Sequence, residues 1–274
     1  MTKPTKRTFG RIAALAGAAI SSTLMIGASS LSPDRTLLTK GEVGTVTEIV
    51  DGDTFFLESG LKVRLSATQA PKLPLGRPGF KAWPFGKEAK THLSKLIRGK
   101  DVTLYYGGKE RDRYDRALAQ TFVPDEDGIW VQEEMVRAGY ARVYTWPDTW
   151  QDSERLYAAE REARAAKRGI WAHPYYAVRT PDPNALAQDV DTFQLVEGIV
   201  TSVASVRGRV YLNFGADYRT DFTVAIEKEN RKRIEESFDP MSLEGARIRI
   251  RGWIELTNGP VIWLDHPERL EILD

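Results

Sequence analysis

Alternation of apolar and polar positions is the dominant pattern after residue 40. VGTVTEIV (43–50), DTFFLES (53–59) and LKVRLSA (61–67) each alternate with a period near two, and Asp-Gly and Ser-Gly pairs separate them. That spacing predicts a three-stranded meander. KEAKTHLSKLI (87–97) then repeats its apolar residues at helical intervals, and DVTLYY (101–106) and RALAQTFV (116–123) return to strand character. VQEEMVRAGY (131–140) reads as a short helix ended by Gly139. A longer helix is expected from about Thr149 to Arg168, with Leu156, Tyr157, Ala159, Ala163 and Ala166 on its buried side and Gly169 as its cap.

Residues 172–192 hold three prolines and little periodicity, so they read as a linker, from 173 onward. From Phe193 the pattern is again β: FQLVEGIVTSVASV, RVYLNFG, DFTVAI, ARIRIRGWIEL and VIWLD, interrupted by one helical run, KENRKRIEESF. Five short strands with one helix predict a second small barrel over 193–274, whose closure would remove exposed edges. No internal repeat suggests a solenoid.

Composition and charge add the compartment. Residues 1–30 order Lys3, Lys6, Arg7 and Arg11 before an uncharged Ala/Gly/Leu/Ile-rich run that ends in small residues. That order predicts an export signal cleaved near Ser30, or a retained N-terminal anchor, followed by a polar linker over 31–40. The body is therefore expected to be periplasmic or secreted, with membrane contact only if the segment is retained. With no cysteine in the chain, disulfide scaffolds and thiolate metal sites are excluded. The first 30 residues carry four of the 39 Lys and Arg and none of the 38 Asp and Glu, leaving 35 against 38. Non-specific coating of nucleic acid is excluded by that balance, so any such role rests on local patches.

Asp51 and Asp53 occupy a tight turn, Arg64 lies on the strand that follows, and Arg116 opens a later strand within KERDRYDRALA. An acidic turn with two arginines suits a bound phosphodiester and the extra charge of its transition state. IVDGDTFFL, VRLSATQAPK, FGKEAKTHLSKLIRGKDVTL, RDRYDRALAQTFV, VQEEMVRAGYARV and KRGIW together resemble the staphylococcal nuclease (thermonuclease) family over about 41–171. The resemblance implies a five-stranded OB-fold barrel with three helices over 41–172, and a calcium-dependent phosphodiesterase acting on DNA and RNA. It implies Asp53 as a metal carboxylate, Arg64 and Arg116 as phosphate-binding and catalytic arginines, and Tyr114 near the bound nucleotide. Tyr144 and Trp146 fall close to further nucleotide-contacting positions.

The same resemblance exposes two departures. Gln69 and Lys72 stand where the family places its second calcium carboxylate and its general-base glutamate. A hard divalent cation needs several charged oxygens, and a protonated lysine neither accepts a proton from water nor tolerates a neighbouring cation. The loop from Lys72 to Lys87 has no Asp or Glu to substitute. The expectation is a degenerate site that binds single-stranded DNA, RNA or a nucleotide through Arg64, Arg116 and Lys72 without efficient cleavage. Alternatives are an active calcium nuclease recruiting Asp112 or Asp115, metal-free hydrolysis assisted by Lys72, and a protein-interaction scaffold in the cell envelope.

In the C-terminal part Arg247, Arg249 and Arg251 alternate with Ile248 and Ile250, which places the arginines on one strand face. With Tyr211, Phe214, Tyr218 and Trp253 nearby, they form a candidate nucleic-acid platform. Against it, residues 193–274 hold 11 Lys and Arg but 14 Asp and Glu, so the alternative is a packing or protein-interaction module whose arginines pair with acidic neighbours. His92, His173 and His266 share no spacing and read as surface or capping residues rather than zinc ligands.

Overall fold

The computed structural model describes residues 35–124 and 128–273. The expected export segment and residues 31–34 of the expected linker lie outside the described residues. Among the described residues no helix is long and apolar enough to cross a membrane.

The first lobe is built on a closed barrel of β1 (Thr39–Asp51), β2 (Thr54–Leu57), β3 (Lys62–Leu65), β5 (Asp101–Tyr106) and β6 (Ala117–Phe122). β1 begins earlier than its alternation suggests, because Thr39 and Lys40 pair with Tyr106 and Tyr105. It is antiparallel to β2 and β5, β2 is antiparallel to β3, β3 runs parallel to β6, and β6 returns antiparallel to β5. Val46, Phe55, Leu57, Val63, Leu65, Val102 and Leu104 fill the interior, as the period of two requires. Three helices cover the barrel. α1 (Gly86–Ile97) buries Ala89, Leu93 and Ile97 at four-residue spacing, α2 (Val131–Arg137) buries Met135 and Val136, and α3 (Ser153–Ala165) buries Leu156, Tyr157, Ala159 and Ala163. Two short strands, β4 (Thr68–Gln69) and β7 (Arg142–Val143), pair outside the barrel.

Residues 173–192 are more ordered than a linker. They form helical turns at Pro174–Tyr176, α4 (Pro183–Leu186) and Ala187–Asp189. Buried Tyr176 donates its hydroxyl hydrogen to Pro84 O at 2.8 Å, and Arg179 pairs with Asp189 at 2.6 Å while its backbone exchanges hydrogen bonds with Leu195 and Glu197. Two of the three prolines, Pro174 and Pro183, start helical turns at their first positions, where a missing N–H costs nothing.

In the second lobe, β8 (Phe193–Ile199) continues after two residues into β9 (Ser202–Val206), followed by β10 (Arg209–Asn213), β11 (Thr223–Ile226), α5 (Lys228–Glu235), β12 (Arg247–Trp253), β13 (Glu255–Thr257), β14 (Gly259–Trp263) and β15 (Leu270–Leu273). The closed barrel expected here is not what the hydrogen bonds make. They define a five-stranded sheet, β13-β14-β11-β10-β9, and a separate three-stranded sheet, β15-β12-β8. The pairing order nevertheless repeats that of the first lobe: antiparallel β9-β10 and β10-β11, parallel β11-β14, and antiparallel β12-β8. What is missing is a ladder between β12 and β14. There Gly252 faces the Ile262 side chain, so packing rather than hydrogen bonding joins the two sheets.

The arginine stripe on β12 also turns out differently. Arg247 and Arg249 both pair with Glu197 on β8, the latter at 2.5 Å, and Arg249 also reaches Glu271. Arg251 has no exposed surface. Its guanidinium bonds Glu160 of α3 at 3.0 and 3.1 Å, Val143 O at 3.2 Å and Glu271 at 2.8 Å, and lies 4.3 Å from the centre of the Tyr157 ring. The three arginines share a face as expected, but the face is occupied by carboxylates and by the first lobe. Arg251 is closed off from solvent and Arg249 is largely so, while Arg247 stays exposed beside Glu197. His266 is likewise internal, with Nε2 2.8 Å from Thr145 Oγ1 and Nδ1 2.6 Å from Asp265, whereas His173 accepts a capping hydrogen bond from Tyr175 N.

Arg251 therefore fastens the second lobe to α3 of the first. Removing one partner of a buried pair leaves the other charge stranded, which costs about 3–5 kcal/mol. Arg251→Ala is expected to lower unfolding stability in urea by about that amount. A loss below about 1 kcal/mol would show that this ion pair does not hold the lobes.

Candidate functional site

The acidic hairpin is placed by the end of β1. Asp51 pairs with Thr54 across the two-residue turn Gly52-Asp53, next to an irregularity in the β1-β2 ladder between Ile49 and Asp51. Gly52 is required by close approach: a Cβ there would stand 2.7 Å from the Cβ atoms of Ala70 and Ala89. The turn is thereby pressed against the strand leading to Lys72 and against α1, and Asp53 loses all exposure.

A buried carboxylate must find compensating charge and donors. Asp53 receives the Ala70 N–H at 2.8 Å and the Thr54 hydroxyl at 3.1 Å. The Lys72 ammonium donates to both of its oxygens, at 2.6 and 2.8 Å, and Arg64 Nη2 lies 3.3 Å away. Lys72 Nζ is also 3.9 Å from Asp51, so the ammonium lies between the two carboxylates. Burial alone pushes the Asp53 pKa up, but Arg64 and Lys72 outweigh it and hold the carboxyl well below the ordinary range. Burial, reinforced by the neighbouring Asp53 charge, pushes Asp51 up. For Lys72, burial lowers the pKa and Asp53 opposes the shift.

Gln69 points elsewhere. Its Oε1 accepts from Arg142 Nε at 3.0 Å and Nη2 at 2.7 Å, in a buried contact that Trp83, Tyr176 and Phe193 surround. Burial pulls the Arg142 pKa down to about 10, since its hydrogen-bond partner is a neutral amide. Nothing in the chain's periodicity marked Arg142, and only its two-residue pairing with Gln69 reveals the contact. Asp112 is committed to Arg116, at 2.6 Å, and to the backbone N–H groups of Tyr114 and Arg116. Asp115 lies in the same turn with φ of 60°. Among the described residues no three acidic or histidine side chains converge on one point. These donors do not fit calcium: two carboxylates converge, and an ammonium is bonded between them.

Around this charge cluster lies a cleft of about 680 Å³. Lys62, Arg64, Lys72, Arg77, Arg113 and Arg116 line it, against Asp51 and Asp112. Arg64 is largely spent on backbone, donating to Leu65 O at 2.5 Å and Thr68 O at 2.8 Å. Arg77, stacked 3.7 Å over Phe80, borders the cleft from the loop after Lys72. Of the expected aromatics, Tyr114 and Trp146 are 64% and 46% exposed and line the cleft. Tyr144 borders it but is buried, packed against Phe193, so its ring serves mainly as core. Trp253 lies beside the arginine stripe on β12, as expected, and also lines this cleft.

The depressed folded pKa of Asp53 sets the sign of its pH linkage. The ion pair's stabilisation is fully present above the unfolded carboxylate value near ~3.9 and is lost as pH falls through the lower folded value. Asp53→Asn is expected to cost about 3 kcal/mol at neutral pH and to flatten the acid limb of the stability curve. An acid limb as steep as the wild-type one would assign that linkage to other carboxylates.

A sequence profile described as staphylococcal nuclease homologue matches residues 62–173, a span that includes Arg64, Gln69, Lys72 and Arg116. The chain is 34% identical over 132 residues to an uncharacterized endonuclease of Escherichia coli, covering 47% of this chain and 76% of that protein. It is 28% identical over 131 residues to a thermonuclease of Staphylococcus hyicus, with 47% and 75% covered, and 33% identical over 138 residues to Endonuclease YhcR of Bacillus subtilis, with 47% and 11% covered. With the five-stranded barrel and the acidic hairpin in place, these matches show that the chain belongs to the staphylococcal nuclease homologue family.

Proposed function

We propose that this chain is an exported, thermonuclease-like protein that binds single-stranded nucleic acid in its basic cleft without efficient cleavage. One observation carries the reading: the Lys72 ammonium is bonded to both oxygens of Asp53, where the family resemblance implies a calcium ion. An ammonium fixed by a carboxylate does not activate water. The names of the similar proteins, endonuclease and thermonuclease, support nucleic acid as the ligand class.

Cleft charge supports binding. With Lys72 and Arg64 paired to Asp53, the remaining Lys62, Arg77, Arg113 and Arg116 against Asp51 and Asp112 still favour a polyanion at close range even though the whole chain is nearly neutral. Arg116, partly exposed and paired to Asp112 at the rim, is freer than Arg64 to turn to a phosphate. Arg64 is better suited to holding Asp53 and the 65–68 backbone in place. Export rests on the charged-then-apolar order of the first 30 residues.

Incubation with single-stranded DNA and RNA, in calcium or in chelator, separates binding from hydrolysis. The expected outcome is no calcium-dependent cleavage, with binding that weakens as salt rises and falls about tenfold in Arg116→Ala. Calcium-dependent cleavage abolished by Asp53→Ala would instead establish an active nuclease.

A further inference from the structure

The matched family segment ends at residue 173, yet the cleft continues past it. Trp253 is the last residue of β12 in the second lobe, paired in register with Phe193 on β8. Its indole Nε1 donates to the Tyr144 hydroxyl of the first lobe at 3.1 Å, and its ring meets Phe193 edge-on at 6.2 Å. Tyr144 in turn meets Trp146 edge-on at 5.4 Å, and the Arg269 guanidinium lies 5.8 and 5.9 Å from the centres of those two rings. The result is one aromatic wall with contributions from both lobes.

Two features separate this wall from scattered exposed apolar residues. Trp253 is 39% exposed and Trp146 46%, and both open onto the cleft that contains Arg64, Lys72 and Arg116. Since the indole N–H of Trp253 is already bonded to Tyr144, what it offers the cleft is ring surface rather than a donor. Its strand is also held firmly: two residues earlier, Arg251 is buried in its ion pair with Glu160 of α3. A preorganised indole wall beside a cluster of cations matches a ligand with flat π faces joined by negative charges.

Resting on the reading of the cleft as a nucleic-acid site, we propose that the second lobe completes that site, with Trp253 stacking an unpaired base of a single-stranded oligonucleotide whose phosphates lie toward Arg116. The strand then spans both lobes.

Fluorescence anisotropy with labelled thymidine and uridine oligonucleotides of about ten nucleotides tests this on the full chain. Trp253→Ala is expected to weaken binding about tenfold and Trp253→Phe less than about threefold, since stacking on one aromatic ring contributes on the order of 1–3 kcal/mol. Tyr218→Ala, an exposed aromatic of the same lobe outside the cleft lining, is expected to bind as wild type. The tighter of the two oligomers identifies the preferred strand. Wild-type affinity in Trp253→Ala, together with weakened binding in Arg116→Ala, would overturn the two-lobe site and leave the cleft reading standing. No binding by the wild type would overturn both. Should Trp253→Ala fail to fold by circular dichroism, photocrosslinking of an iodouridine oligomer to the wild type decides: an adduct on Trp253 supports the proposal, and adducts confined to the first lobe contradict it.

Discussion

A carboxylate without exposed surface has to be neutralised where it stands, and around Asp53 that requirement organises the site. The Asp51-Gly52-Asp53 turn is pressed against Ala70 and Ala89, so neither water nor a mobile counterion supplies the compensation. The chain supplies it through Lys72, Arg64 and the Ala70 N–H. Each of these partners is thereby fixed. Arg64 spans from Asp53 to the carbonyls of Leu65 and Thr68, which holds the strand after β3 in register, and Lys72 anchors the start of the loop that walls the cleft.

The lobes are held by the same kind of constraint. Glu160 on α3 accepts from Val143 N and faces Arg251, so a buried acid of the first lobe is satisfied only when the second lobe is present. Tyr144, Phe193 and Leu195 pack beside this pair, and the Trp253 indole closes the cluster at the cleft. Position of the aromatic wall thus follows from ion pairing in the interface rather than from the barrel alone.

Local patterning made most of the first lobe legible. Period-two runs, the Asp-Gly turn and the helical spacing of Ala89, Leu93 and Ile97 all correspond to elements of the structure. The departures at Gln69 and Lys72 were visible as residue types, but their partners were not. Lys72 reaches Asp53 across 19 residues and Gln69 meets Arg142 across 73, distances over which periodicity carries no information. The arginine alternation on β12 placed its residues on one face correctly. Whether that face met solvent or Glu160 depended on packing between lobes, 91 residues away in sequence. The second lobe's open ring was hidden for a similar reason: alternation marks strands, while closure depends on a ladder between β12 and β14 that Gly252 and Ile262 replace with side-chain contact. In residues 173–192 the prolines marked breaks, although Pro174 and Pro183 begin helical turns docked on the body.

If Lys72 stands in for a divalent cation, calcium titration by calorimetry on the wild type and on Lys72→Glu gives the most direct test. The wild type is expected to release no heat of binding and to melt at the same temperature with or without millimolar calcium. Lys72→Glu, which removes the ammonium and adds a third carboxylate beside Asp51 and Asp53, is expected to bind calcium and to be stabilised by it. Saturable calcium binding by the wild type that disappears in Asp53→Ala would contradict the account, because the ion and the ammonium cannot share those oxygens.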